Sequence, residues 1–145
     1  MTNTEENELD ELNRALIEEC FEGDLIAVIE LINSGANVNI MGWLGKTPLQ
    51  LACDSGHTSV AKLLIENEAE VNKCCNSGGT PLHKACFGGH VNVIKLLLDN
   101  KADINIVNKD GDTPLHLASF NGNKEIVKLL EEHMNNQERE ENETK

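Results

Sequence analysis

The sequence predicts an all-α solenoid of stacked helix–turn–helix units, and three observations carry that prediction. The phrase Thr80-Pro81-Leu82-His83 returns upstream as Thr47-Pro48-Leu49-Gln50 and downstream as Thr113-Pro114-Leu115-His116, each time at a spacing of 33 residues. Glycines keep the same period at Gly45, Gly78 and Gly111, and again at Gly23, Gly56, Gly89 and Gly122. Apolar residues follow it too, as Val60, Val93 and Ile126 and as Leu64, Leu97 and Leu130. A fixed period of about 20–50 residues marks units that cannot bury an apolar face alone and so stack on their neighbours.

Taken in order, residues 1–8 read as a disordered acidic tail, because Glu5, Glu6 and Glu8 come without an apolar face to dock. Residues 9–44 form an N-terminal capping repeat. Leu9, Leu12, Leu16 and Ile17 have helical spacing, and Arg14-Ala15 stands in place of Thr-Pro. Glu18 and Glu19 occupy positions that later hold Leu51/Ala52 and Leu117/Ala118, as expected of an end unit with a polar outer side. Asp24 caps the second helix, whose expected inward face is Leu25, Val28, Ile29 and Ile32. Gly35 ends that helix in the left-handed conformation. Glu68 and Lys101 hold the same place in the next copies, where that backbone costs about 1–2 kcal/mol each.

Residues 45–77 and 78–110 are internal repeats. In each the threonine hydroxyl accepts an orphan N–H, the proline fits the first helical position, and Leu82 and Ala85 share the core face. His83 and His116 are structural, bonding neighbouring backbone through their ring nitrogens. Lys84, between Leu51 and Leu117 in register, lays its aliphatic stem over apolar surface. Residues 111–137 form the C-terminal cap, with a last helix over about 124–136. An acidic polar tail, 138–145, follows.

The 145 residues fit one array, and the net charge of −13 concentrates at its ends. That balance excludes nucleic acid, whose phosphates demand cations. No run approaches the roughly 20 apolar residues of a membrane span, and the polar start is no signal peptide. The expectation is therefore a monomer of the cytoplasm or nucleus. Cys20, Cys53 and Cys86 keep the 33-residue period, with Ser119 as the fourth copy. Helices stack about 8–10 Å apart, too far for the roughly 4.4–6.8 Å Cα separation of a disulfide. They read as reduced, buried small residues. Cys74 and Cys75 lack zinc-site spacing, and Asp110-Gly111-Asp112 lacks the remaining ligands of a calcium loop. His57 and His90 enter second helices in register, as capping or packing residues. No catalytic constellation, metal or cofactor is expected, and the protein reads as a non-enzyme.

The Thr-Pro-Leu-His phrase, together with aligned Ala36, Ala69 and Ala102 and aligned Asn39, Asn72 and Asn105, resembles the ankyrin repeat over roughly residues 9–137. The resemblance implies hairpin-like fingers at 39–46, 72–79 and 105–112 with little regular strand. It also implies a concave groove lined by the first helices, and binding of another protein as adaptor, scaffold or inhibitor. Phe21, Phe87 and Phe120 share one register position, late in the first helix, with Asp54 as the missing copy. Trp43 and Leu44 sit at a fingertip, aligned with Asn76-Ser77 and Lys109-Asp110. The candidate partner-binding set is thus Phe21, Trp43, Leu44, Phe87 and Phe120, with Asp54, Lys109, Asp110 and Asp112 as its charged rim. The partner it fits is a protein with apolar anchors flanked by Lys or Arg. Packing between repeats is the bland alternative for the phenylalanines. Two alternatives concern the whole chain. One is a substrate of asparaginyl hydroxylation at Asn72 and Asn105, and the other is the recognition fragment of a larger ankyrin protein.

Overall fold

A computed structural model describes residues 2–144 as helices in succession: α1 (Asn3–Glu22), α2 (Leu25–Asn33), α3 (Pro48–Ser55), α4 (Thr58–Glu66), α5 (Pro81–Gly88), α6 (Val91–Asp99), α7 (Pro114–Phe120) and α8 (Lys124–Glu143). Each odd-numbered helix turns back into the even-numbered helix after it. Along the stack α1, α3, α5 and α7 pack in sequence, as do α2, α4 and α6. The ladder follows from the Thr-Pro starts. Thr47, Thr80 and Thr113 have extended backbone and accept from the N–H of Gln50, His83 and His116, while proline opens each helix.

The core is one seam along this ladder. Leu16, Leu49, Leu64, Leu82, Ile94, Leu97, Ile126 and Leu130 are almost entirely buried. Each such side chain contributes about 1.5–3 kcal/mol of transfer free energy. Cys20, Cys53 and Cys86 fill small slots within it, and all five cysteines, the exposed Cys74 included, are free thiols. Burial, together with the charge of Glu19, pushes the Cys20 thiol up to about 12. Burial alone does the same for Cys86, and burial with Asp54 raises Cys53 as well.

Ring nitrogens and glycines hold one repeat to the next. His57 Nε2 donates to the Phe21 carbonyl at 2.9 Å, and His90 Nε2 donates to that of Asp54 at 3.0 Å. These rings therefore bridge repeats and do not cap α4 and α6, which have no side-chain cap. The close approach demands glycine. A Cβ on Gly23 would lie 2.6 Å from the His57 ring, and one on Gly56 would lie 2.5 Å from that of His90.

Glu68 and Lys101 do adopt left-handed backbone, with φ of 70° and 67°. The register of asparagines compensates them. Asn39 Nδ2 donates to the Glu68 carbonyl at 3.1 Å, and its Oδ1 accepts from the Glu70 N–H at 2.8 Å. Asn72 repeats the clamp on Lys101 and Asp103.

Three expectations change. The disordered tail over 1–8 is helical from Asn3 onward, Met1 lying outside the described residues. Thr2 and Glu5 close a reciprocal capping box, and Glu5 and Glu6 lie where the helix dipole favours acids. The last helix does not stop near 136 but runs to Glu143, because 124–143 contains no Gly or Pro and many good helix formers. On α2 only Val28 is fully buried, while Leu25, Ile26 and Ile29 are exposed at the open end of the stack. The fingers contain no strand among the described residues. Each is closed by backbone bonds that include Gly42 N–H to the Lys46 carbonyl, Cys75 N–H to that of Gly79 and Asn108 N–H to that of Asp112.

Candidate functional site

The candidate site lies on the side of α1, α3, α5 and α7 that faces away from the second helices, and it begins with how those helices end. The carbonyls of Phe21, Asp54 and Phe87 are engaged by His57, His90 and Asn121 of the following repeat. With backbone held inward, the side chains at this register place point out. Phe21 is 57% exposed, Phe87 62% and Phe120 90%. None of the three phenylalanines is buried between repeats.

The first fingertip is built differently from its copies. Trp43–Gly45 form a short 3-10 turn in which Leu44 has a φ of 59°, a left-handed conformation that Ser77 and Asp110 do not share. Such backbone costs about 1–2 kcal/mol for a residue with a Cβ, and it leaves Trp43 82% exposed. The Leu44 carbonyl accepts from the Asn76 N–H at 2.9 Å, and the Ser77 carbonyl accepts from the Lys109 N–H at the same distance. The fingertips are thereby tied in a row.

Two clusters result. Phe21 and Trp43 line one apolar cleft of about 320 Å³ together with Ile17 and Leu51. Phe87 and Phe120 line a second depression of about 560 Å³ with Leu117, His116 and Asp112. Asp54, Lys84 and Phe87 share a further hollow of about 350 Å³. Lys46 Nζ pairs with Asp54 at 3.6 Å. Leu44 is half-exposed but lines none of these hollows, and Lys109 and Asp110 are exposed at the third fingertip, away from both clusters. The sequence reading missed Leu51 and Leu117 as walls. Their signal was present: they stand three residues before Asp54 and Phe120, one helical turn away on the same face.

Beneath the groove run polar ties between neighbouring repeats. The His83 Nδ1 accepts from the Thr80 N–H at 3.1 Å, while Nε2–H donates to the Asp112 carbonyl at 2.9 Å, so both partners demand the same neutral tautomer. Burial holds this imidazole below the ordinary histidine value, against the pull of the Asp112 carbonyl. Gln50, the register equivalent, donates through Nε2 to the carbonyls of Lys73 and Gly79. Its Oε1 is buried without a hydrogen-bond partner among the described residues. Cys75 differs from the core thiols. Burial pushes it up, but hydrogen bonds with Ser77 and Gly79 and the charge of Lys84 outweigh that and leave it below its ordinary value.

The two finger asparagines are not equivalent. The Asn72 amide is held on both sides by the next repeat. Asn105 receives no such clamp among the described residues, and its side chain is exposed beside Gln137 and Glu140 of α8. Among the described residues no three His, Cys, Asp or Glu side chains converge where they could hold a metal ion. No helix among them is long and apolar enough to cross a membrane.

Comparison with known proteins adds the family. A model described as ankyrin repeats (3 copies) matches residues 16–108, and one described as ankyrin repeats (many copies) matches residues 90–131. No curated protein matches the chain.

Proposed function

The chain belongs to the ankyrin-repeat family, and from that premise we propose that it is a non-enzymatic binding module whose groove and first finger grip a partner protein. Ankyrin repeats are in general protein–protein interaction modules. The observation that carries the reading here is the exposure of all the aromatic side chains of the chain, Phe21, Trp43, Phe87 and Phe120, above a seam that is fully buried. Exposed apolar patches such as the Phe21–Trp43 and Phe87–Phe120 clusters mark interaction sites on a small chain. The reading treats 45–77 and 78–110 as internal repeats, with 9–44 and 111–137 as caps. Asp54 and Asp112 are its rim charges near the hollows, and Lys109 and Asp110 extend that rim along the fingertips. The partner is held as a scaffold, adaptor or inhibitor would hold it.

Affinity capture from native extract, with wild type and Trp43→Ala as baits, tests the reading. Trp43→Ala is expected to weaken the recovered complex by about 2 kcal/mol or more, as truncations at hot spots do, with the thermal midpoint unchanged. Loss of stability with binding intact would place the partner elsewhere. One observation keeps a second reading alive. The unclamped Asn105 amide is the asparagine open to hydroxylation, and Asn72 is the protected one. One added oxygen on the Asn105 peptide and not on the Asn72 peptide is the expected mass signature.

A further inference from the structure

We propose that the cleft between α1 and the first finger is a socket for one arginine side chain of the partner. This rests on the groove reading above and names what its N-terminal half selects. The cleft is apolar within: Ile17, Phe21 and Leu51 come from the helices, and Trp43 comes from the finger. The finger lies against α1 here: a Cβ on Gly42 would lie 2.9 Å from Ile17 Cδ1. Its volume, about 320 Å³, suits a single extended side chain better than a helix.

Charge then chooses the side chain. Glu18 and Glu22 line the same cleft. Both stand near the C-terminal end of α1, where the helix dipole disfavours acids, and no basic residue lies in the last turn. Neither is in an ion pair among the described residues. The cation that lines the cleft, Lys46, is already engaged by Asp54 at 3.6 Å. The cleft thus offers two unpaired carboxylates beside an open indole and a phenyl ring.

A leucine anchor fills the volume but partly dehydrates both carboxylates with nothing in exchange. An arginine satisfies each part. Its methylenes lie against Ile17, Phe21 and Leu51, its planar guanidinium stacks on Trp43, and its forked donors reach the carboxylates. A lysine head meets the acids but cannot stack or fork.

Trp43 is the single tryptophan of the chain, so its fluorescence, and its indole N–H resonance as a second reading, report on the socket directly. N-acetyl-arginine methylamide is titrated at millimolar concentration against the full chain, beside the citrulline, lysine and leucine analogues. The expected result is a saturable change with the arginine probe and none with citrulline. In Glu18→Gln/Glu22→Gln the arginine response should weaken by about five-fold or more, while in Glu30→Gln, an exposed acid of α2 outside the cleft, it should be unchanged. Equal response to leucine overturns the charged socket, and equal response to lysine overturns the preference for a guanidinium. Silence with every probe overturns the socket itself. In that case the groove reading still stands if capture of the partner depends on Phe87 and Phe120, and it falls separately if capture ignores them.

Discussion

The middle of the stack and its first repeat use the same register to opposite ends. In α4 and α6 the positions of Leu64 and Leu97 are fully buried, and Lys62 and Lys95 occupy the outward place. In α2 the equivalent of Leu97 is Leu31, only half-buried, and the equivalent of Lys95 is the exposed Ile29. The fingers diverge likewise. The second and third turn without strain in any residue that carries a Cβ, whereas the first holds Leu44 left-handed and lifts Trp43 into the open. In a repeat chain every position has an internal control. A departure whose local cost no packing repays points to a surface shaped for something outside the chain.

The largest expected effect breaks or upholds the contrast in burial. Leu97→Ala should cost about 2–5 kcal/mol by urea denaturation, through lost transfer energy and the cavity left behind. Leu31→Ala, at the same register place, should cost clearly less, and equal losses would erase the distinction between middle and end. Next is the strain. Leu44→Gly should raise stability by about 1 kcal/mol by relieving the left-handed backbone, while weakening partner capture as the Trp43 perch loosens. Ser77→Gly, lacking that strain, should not stabilise. A similar gain is expected of Gln50→His, which replaces an orphaned buried acceptor with the ring that serves at His83, worth about 1 kcal/mol in the thermal midpoint analysis.

The smallest effect is a pH dependence confined to the middle. Burial keeps the His83 pKa below its ordinary 6.5. As pH falls through that value, the unfolded chain takes up a proton that the folded chain resists, so stability is present above it and is lost toward acid. His83→Gln, which borrows the residue of the preceding repeat, should flatten that slope in parallel denaturation curves. An unchanged slope would assign the acid sensitivity to other groups.

Much of this was legible beforehand, for physical reasons. The helix starts follow from Thr47-Pro48, Thr80-Pro81 and Thr113-Pro114 because a cap and a fixed φ act locally. The departures at Glu68 and Lys101 could be seen in register, though not their compensation, which depends on an amide one repeat away. The helical start at Asn3 was written in Thr2-x-x-Glu5 but was outweighed by acidic composition. The strain at Leu44 left no trace, since nothing about a leucine announces a left-handed turn. The joining of Phe21 with Trp43 was likewise hidden, because it depends on where the finger folds back against α1. Periodicity reports what is shared between repeats, and Trp43 has no copy in the register, where Asn76 and Lys109 stand instead.

The two bonds that tie the fingertips, Asn76 to Leu44 and Lys109 to Ser77, also set the mechanics of the molecule. Hydrogen bonds between backbones are short and directional. The fingertip row is therefore a chain of directional links, and the clamps of Asn39 on Glu68 and of Asn72 on Lys101 add a second row beside the ends of α4 and α6. A partner that touches both the Trp43 cleft and the Phe120 hollow meets a ruler with a fixed scale along one side.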